Sequence, residues 1–231
     1  MNSDRRVLSR TEVRNLDAAA VRELGLCGLL LMENAARGVA DVIQREFANV
    51  NRITILCGPG NNGGDGLAVC RQLAAVNIAA SVFVVTGGKQ LSDDAAANLK
   101  FLTAASHPPE CSEDSAAAIT AVQTLTKHDL IVDCLLGTGV RGPVKAPFDQ
   151  VIEAVNASHA TVIAVDVPSG LNCDTGAADG VCVLADRTVT FVGLKQGFLL
   201  PIASDFLGQV TVAHIGLPYR WVTEWLNSQR Q

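Results

Sequence analysis

The sequence predicts an α/β protein: a Rossmann-like three-layer αβα sandwich with a mostly parallel central sheet. Short apolar segments alternate with longer helical segments, which is typical of parallel strands joined by helices that cover both faces of a sheet. Segments such as 131–132 and 162–165 are continuously apolar, as expected for strands buried on both faces. The chain has 231 residues, of which 48% are hydrophobic, and we expect one domain over residues 1–231.

Local patterns predict each element in turn. Ser9 and Glu12 have the spacing of a capping box, which predicts a helix that ends near Leu24. Helical patterns follow over residues 29–47, 64–75, 92–104, 115–126, 147–157 and 219–228. Apolar strand patterns lie between them over residues 53–57, 81–85, 130–133, 161–166, 187–192 and 209–213.

Composition argues against several classes of function. The formal net charge of −5 is a poor electrostatic match for nucleic acid or an anionic membrane surface, so we expect neither partner. No apolar run approaches the roughly 18 residues of a membrane span, and residues 1–10 lack the apolar stretch of a secretory signal. The seven cysteines form no CxxC pair and the histidines are scattered, which argues against zinc. Buried thiols in a reducing compartment indicate a cytoplasmic protein.

The first candidate functional segment, residues 58–66, lies between a predicted strand and the next helix. It reads Gly-Pro-Gly-Asn-Asn-Gly-Gly-Asp-Gly and matches the GxGxxG pattern of dinucleotide-binding loops. Glycines let the backbone approach an anion, and a helix N-terminus attracts phosphate. A dinucleotide dehydrogenase also needs an acidic residue about 20 positions later to hold the ribose, but residues 86–89 read Thr-Gly-Gly-Lys. This difference counts against an ordinary dehydrogenase.

Two further segments place polar groups at strand ends. Asp133 closes a predicted strand and is followed by Gly137-Thr138-Gly139, which can present amides and a hydroxyl to a phosphate. Asp166 closes the next strand and begins the rigid sequence Asp-Val-Pro-Ser-Gly. Because ligands on open α/β sheets bind beyond the carboxyl ends of the strands, we expect the three segments to meet at one edge. Each segment also has a purely structural interpretation as a turn or a cap.

A cation site is a further expectation. Asn62, Asp133 and Ser169 offer only oxygen atoms as ligands. Oxygen without sulfur or imidazole favours a hard cation, and one carboxylate with neutral oxygens suits a weakly charged ion better than a divalent one.

The three segments resemble signatures of the NAD(P)H-hydrate epimerase family, the YjeF N-terminal domain. Met-Glu-Asn-Ala at 32–35 and Lys-Gln-Gly at 195–197 match as well, and the similarity extends over residues 9–218. The resemblance implies a homodimer and one potassium ion per subunit, held by Asn62, Asp133 and Ser169. The substrate contacts that it implies are Asn61, Asn62, Gly63, Gly64, Asp65, Gly137, Thr138, Gly139, Val140, Arg141, Gly142, Pro143 and Asp166.

The same resemblance implies an activity: epimerisation of the R and S hydrates of NADH and NADPH (NADHX and NADPHX) at nicotinamide C6. Relatives often carry a second, dehydratase domain. We expect none here, so that a separate NAD(P)H-hydrate dehydratase completes the repair.

Catalysis of this epimerisation needs a proton donor, a proton acceptor and stabilisation of charge. The ring nitrogen can expel the C6 hydroxyl once an acid protonates it, and water can return to the other face of the planar iminium. Asp133 and Asp65 are the catalytic candidates, with Asp133 preferred because it closes a buried strand. Lys195 is a third candidate, either as a donor or as the partner of a carboxylate, unless it is a surface lysine.

Two other functions stay open at this point. A non-catalytic nucleotide-binding or scaffold protein would use the same fold, as relatives of this domain do in mRNA-decapping scaffolds, and a nicotinamide-dependent oxidoreductase would transfer hydride. The intact site segments favour an enzyme over a scaffold, and the missing ribose carboxylate weakens the oxidoreductase. Nothing in the sequence favours one hydrate over the other.

Overall fold

Strands and helices alternate along the chain in a computed structural model that describes residues 6–230. The strands are β1 (Val7–Leu8), β2 (Ile53–Cys57), β3 (Ser81–Val85), β4 (Glu110–Ser112), β5 (Leu130–Cys134), β6 (Thr161–Val165), β7 (Arg187–Phe191), β8 (Leu194–Lys195) and β9 (Gln209–Ala213). The helices are α1 (Arg10–Leu24), α2 (Gly28–Glu46), α3 (Asn61–Ala75), α4 (Asp93–Ala104), α5 (Ala116–Gln123), α6 (Phe148–Ala157), α7 (Ser204–Leu207) and α8 (Tyr219–Gln229). Residues 1–5 and residue 231 lie outside the described residues. The prediction that residues 1–10 form no secretory signal therefore concerns, in part, residues that are not described.

The main sheet has seven strands in the order β4-β3-β2-β5-β6-β7-β9, and its strand pairings are parallel. The chain proceeds from β2 outward to β3 and β4, and then crosses to the other side of β2 with β5. This reversal leaves a crevice between the carboxyl ends of β2 and β5, where open α/β sheets bind their ligands. A second, two-stranded sheet pairs β1 with β8.

Helices cover both faces of the sheet, which confirms the predicted three-layer architecture. On one face α2, α3 and α4 form an apolar cluster with strand residues such as Ile55 and Val132. On the other face α5 and α6 pack against Leu56 and Ile131. A third cluster joins α1, α2 and α8. Because each fully buried Leu, Ile or Val side chain contributes about 1.5–3 kcal/mol, these clusters hold the strand ends, and the segments that follow them, in place.

One helix boundary differs from the prediction in a way that matters for the site. Helix α3 begins at Asn61, whereas the sequence predicts a start near residue 64. Glycines are poor helix formers, but here close neighbours require them in the first turn. A Cβ at Gly63 would overlap the carbonyl oxygen of Gly58, and a Cβ at Gly64 would lie 2.6 Å from Met32 Cε. The segment predicted as a loop is therefore largely the first turn of a helix.

The remaining predicted helices and strands have boundaries within three residues of those observed. Short elements such as β1, β4 and β8 are absent from the prediction because two or three residues carry no readable periodicity. Within residues 6–230, no helix combines the length and the apolar character needed to cross a membrane.

Candidate active site

A cavity of about 1160 Å³ lies at the carboxyl edge of the main sheet. Its walls come from the segments that follow β2, β3, β5 and β6, together with one side of α1. This volume is above the range of about 300–1,000 Å³ that is usual for small-molecule sites. The cavity therefore has room for an extended ligand of dinucleotide size.

Most of the predicted site residues meet in this cavity. Those that line it are Asn61, Asn62, Asp65, Gly137, Thr138, Gly139, Val140, Arg141, Gly142, Pro143, Asp166 and Lys195. Gly63 and Gly64, predicted as substrate contacts, do not line it, because their missing side chains accommodate the Gly58 carbonyl and Met32 instead. Asp133 and Ser169 also lie outside the cavity lining and are fully buried.

Close approach of two loops shapes the crevice between β2 and β5. The Gly58 N–H donates a hydrogen bond to the Cys134 carbonyl at 3.0 Å, and a Cβ at Gly58 would overlap the carbonyl oxygen of Leu135. On the cavity side, a Cβ at Gly137 would lie 3.2 Å from Asn62 Cβ. Glycine is required at Gly58 because the backbone of the neighbouring loop occupies the space of a side chain, whereas a side chain at Gly137 would need Asn62 to shift by a few tenths of an ångström.

Hydrogen bonds connect Asn62, Asp133 and Ser169, because Asn62 and Ser169 both bond to Leu136 and Ser169 bonds to Asp133. The Ser169 hydroxyl donates to Asp133 Oδ1 at 2.6 Å and accepts from the Leu136 N–H at 2.8 Å. The Ser169 N–H donates to Asp133 Oδ2 at 2.8 Å. Asn62 Nδ2 donates to the Leu136 carbonyl at 2.9 Å. Three segments that are far apart in sequence thus form one cluster of oxygen atoms beneath the cavity.

Asn62, Asp133 and Ser169 are the residues of this cluster that could hold a cation. Asn62 Oδ1 is buried and accepts no hydrogen bond from any residue of the described chain, and an unsatisfied buried oxygen costs free energy unless a cation or donor meets it. Burial raises the pKa of Asp133 to about 6, although hydrogen bonds from Ser169 and the Leu135 amide act in the opposite direction. A nearby cation would favour the ionised carboxylate.

The structure does not favour Asp133 as the acid or base that contacts substrate. Its side chain is 0% exposed, and both carboxylate oxygens accept hydrogen bonds from Ser169. A general acid or base must reach the reacting group directly or through one water. Of the two predicted carboxyl candidates, only Asp65 lines the cavity.

Lys195 is a buried ion-pairing residue, and its interpretation as a surface lysine is wrong. Its Nζ lies 2.7 Å from Asp166 Oδ1 and donates to Thr190 Oγ1 at 2.8 Å. The Thr190 hydroxyl in turn donates to Asp166 Oδ1 at 3.1 Å. Because Lys195 and Asp166 both line the cavity, this pair can orient a polar group of a ligand or move a proton.

Two residues at this end of the cavity adopt the left-handed backbone conformation. The φ angle is 63° at Asp166 and 67° at Val192, and both residues line the cavity. Aspartate tolerates this region, but it is unusual for a β-branched residue such as valine. Such conformations cost about 1–3 kcal/mol each and occur preferentially at functional sites.

Asp17 is a cavity residue that the sequence analysis missed. It lies on α1, and burial together with the nearby Asp166 carboxylate raises its pKa to about 6, while Lys195 acts in the opposite direction. Burial raises the pKa of Asp65 well above its usual range, with further contributions from Asp166 and Asp17. One sequence signal was available: Asp17 lies four residues after Val13, so that its carboxyl shares the inward face of the helix.

Similarity to known proteins agrees with this site. The family model for the YjeF-related protein N-terminus matches residues 28–197. A Rhodopirellula baltica protein named NAD(P)H-hydrate epimerase is 38% identical over 89% of this chain and 82% of its own length. A Salinibacter ruber protein named bifunctional NAD(P)H-hydrate repair enzyme Nnr is 37% identical over 92% of this chain, which spans 41% of that protein.

A solved structure shows the same fold. The crystal structure of yeast ynu0 superimposes with a TM-score of 0.78 at 22% sequence identity, over 95% of this chain and 93% of the yeast chain. The match of the family model includes the glycine-rich first turn of α3, Asp133, Ser169 and Lys195. The chain belongs to the family of the YjeF-related protein N-terminus.

Proposed function

We propose that this protein is an NAD(P)H-hydrate epimerase, an isomerase that interconverts the R and S forms of NADHX and NADPHX at nicotinamide C6. The observation that carries the proposal is a cavity of dinucleotide size that is lined by the three carboxyl groups of Asp17, Asp65 and Asp166 together with buried Lys195. Loss of the C6 hydroxyl turns the neutral ring into a cationic iminium. Carboxylates already in position stabilise that developing positive charge without reorganisation.

Asp65 supplies the proton in the first half of the reaction. Burial raises its pKa well above the usual range, and a raised pKa favours the protonated form that a general acid requires. The Asp65 carboxyl donates its proton to the C6 hydroxyl, the C6–O bond breaks, and the nitrogen lone pair forms the N1=C6 double bond. Water leaves and the iminium remains.

Asp17 acts as the base in the second half. Water attacks the opposite face of C6, the electrons of the N1=C6 bond return to the nitrogen, and Asp17 removes a proton from the attacking water. With its pKa at about 6, Asp17 is mostly ionised at neutral pH, and the pKa of Asp65 is raised well above its usual range. Two carboxyl groups whose environments separate their pKa values can perform acid and base roles in one site.

The proposed cofactor is one potassium ion per subunit at the oxygen cluster of Asn62, Asp133 and Ser169. Support comes from the unpartnered Asn62 Oδ1 and from a single carboxylate among neutral oxygens. When bound, the ion supplies a fixed positive charge beneath the cavity. The residues themselves hold the loop after β5 against the start of α3.

The direct test is incubation of the protein with separated S and R epimers of NADPHX and NADHX, followed by chiral chromatography. Each single epimer is expected to relax to the same mixture faster than in buffer, and Asp65→Asn is expected to abolish this acceleration. Parallel incubation with NADP and candidate alcohols detects an oxidoreductase. Inertness in both assays would instead support a scaffold protein.

The homodimer is a proposal that the N-terminal helices support. The first two helices expose Val21, Leu24, Leu29 and Leu30, whose side chains are at least 36% exposed. Exposed large apolar side chains on two neighbouring helices favour burial against another protein surface. Light scattering after size exclusion is expected to give a dimer mass for the wild type and a monomer for the Leu29→Glu/Leu30→Glu variant.

Two further proposals concern the cellular setting. We place the protein in the cytoplasm, because its seven cysteines are free and five of them are buried. We also propose that a dehydratase acts on the hydrates together with this protein, since the activity proposed here interconverts the two hydrates without returning either to NADH or NADPH.

A further inference from the structure

Positive charges line one end of the cavity. Lys89 follows β3, and Arg141 and Lys145 follow β5; all three side chains line the cavity and are exposed. None forms a salt bridge with another residue in the described part of the chain, residues 6–230. These cations are available to a ligand.

The cationic and carboxylate ends of the cavity lie apart along the sheet edge. Lys89 follows β3 and Asp166 follows β6, and the sheet order β3-β2-β5-β6 puts three strand spacings between them. At about 4.8 Å per spacing, the carboxyl ends of β3 and β6 lie about 14 Å apart. An extended dinucleotide can therefore place its nicotinamide at the carboxylates and its adenosine at the lysines.

The loops that carry Lys89 and Lys145 are in contact with each other. A Cβ at Gly87 would lie 3.1 Å from Pro147 Cδ, so the loop after β3 packs directly on the residues that follow Lys145. Lys89 Nζ lies 5.9 Å from the centre of the Phe148 ring. The Phe148 N–H donates to the Lys145 carbonyl at 3.1 Å. The Lys89 side chain and the Lys145 backbone thus both border Phe148 at the start of α6.

The position of Lys89 in the fold indicates which part of a dinucleotide its charge would contact. In Rossmann-like sheets, the residue that follows the strand next to the glycine-rich turn contacts the adenosine ribose. A carboxylate there binds the 2′-hydroxyl of NAD, whereas a basic residue accommodates the 2′-phosphate of NADP. Here that strand is β3, and its end reads Thr-Gly-Gly-Lys.

We propose that Lys89 and Lys145 form a subsite for the adenosine 2′-phosphate, so that the enzyme favours NADPHX over NADHX. This inference rests on the proposed function and specifies its substrate. Arg141 is not assigned to the subsite, because its segment also borders the glycine-rich start of α3, where the pyrophosphate shared by both substrates would bind.

The test compares kcat/KM for the two hydrates in the wild type, Lys89→Met, Lys145→Met and the double variant. Methionine keeps most of the side-chain volume and removes the charge. Each single change is expected to lower kcat/KM for NADPHX about tenfold, as for loss of one charge-assisted contact to phosphate, and to leave NADHX within about twofold. The matched control is Lys100→Met, an exposed lysine of α4 outside the cavity lining, for which neither value should change.

Equal losses for both hydrates would overturn the inference, since the lysines would then bind a group that the substrates share. Lysine variants with unchanged kcat/KM for both hydrates would overturn the inference as well.

A binding measurement separates failure of the subsite from failure of the proposed function. Adenosine 2′,5′-bisphosphate should bind the wild type about tenfold more tightly than AMP in calorimetry, and the double variant should lose this preference. If the protein epimerises both hydrates but binds the bisphosphate no more tightly than AMP, the proposed function stands and the subsite is refuted. If the protein binds the bisphosphate in a lysine-dependent way but epimerises neither hydrate, the subsite stands and the proposed function is refuted.

Discussion

Lys195 and Asp166 form a buried ion pair at the floor of the cavity, with Nζ 2.7 Å from Oδ1 and side-chain exposures of 1% and 15%. The pair joins the short strand β8 to the end of β6, which are 29 residues apart in sequence, and Thr190 hydrogen bonds to both partners. It therefore supports the fold as well as the site.

Removing one partner of this pair should destabilise the protein strongly. Lys195→Met leaves the Asp166 carboxylate without its cation in a largely buried position, and such losses cost about 3–5 kcal/mol. Urea denaturation would measure the free energy of unfolding. The double variant Lys195→Met/Asp166→Leu should recover part of the loss, because no unpaired charge remains. Equal stability of Lys195→Met and wild type would show that the pair contributes little.

Asp65→Asn should lower kcat for epimerisation by about 10²–10⁴-fold, the usual contribution of a general acid. The free energy of unfolding should not fall, since burial disfavours the ionised form of this carboxyl in the folded protein. Chiral chromatography of single epimers gives the rate, and Asp93→Asn, an exposed residue of α4, is the matched control. Near wild-type turnover by Asp65→Asn would exclude Asp65 as the acid.

The pH dependence of kcat/KM should have two limbs. Asp17 must be ionised to act as a base, so activity should be lost as the pH falls through about 6. Asp65 must be protonated to act as an acid, so activity should also fall as the pH rises above its raised pKa. The two groups interact, and the measured values therefore belong to the pair.

Asp17→Asn should remove the acidic limb and lower the maximum rate. Asp41→Asn, on the exposed side of α2, should leave the profile unchanged. An acidic limb that persists in Asp17→Asn would assign that titration to another group.

Potassium should raise the melting temperature if it binds the oxygen cluster. At ten times its dissociation constant, a ligand that binds only the folded state stabilises it by about 1.4 kcal/mol, or about 3–6 °C for a domain of this length. The measurement is thermal unfolding in KCl against choline chloride at equal ionic strength. Asn62→Ala removes the unpartnered Oδ1 and should lose the potassium-specific increment. The same increment in wild type and variant would place the effect elsewhere.

Stability should fall in acid because of Asp129. This carboxylate is 1% exposed and accepts hydrogen bonds from Arg52 and from the Thr126 N–H and hydroxyl. The Arg52 guanidinium holds the pKa of Asp129 well below its usual range. A lowered folded-state pKa gives stability that is fully present above the unfolded value of about 3.9 and is lost as the pH falls below it.

Asp129→Asn should lower the melting temperature at pH 7 by about 3–6 °C and flatten the decline below pH 4. The measurement is thermal unfolding at a series of pH values. An unchanged acid slope in the variant would assign the decline to other carboxylates.

Much of the site could be predicted because each residue has a local signal. Asp133 and Asp166 close strands whose apolar runs are visible in the sequence, and parallel strands bring their carboxyl ends to one edge. The same rule brings Asn62, Asp133 and Ser169 together: Asn62 and Ser169 both hydrogen bond to Leu136, and Ser169 also hydrogen bonds to Asp133.

Other properties depend on atoms from distant segments. No periodicity shows that Asp133, in β5, lies beneath the cavity while Asp65, in the first turns of α3, lines it, because packing decides which carboxyl meets the cavity. Asp17 joins the site because α1 packs beside the sheet edge. The sequence alone thus determined the layers, the order of helices and strands along the chain, and the segments that meet at the sheet edge. Tertiary structure decided which side chains face the cavity, since burial, ion pairing and pKa arise from neighbours that local patterns do not specify.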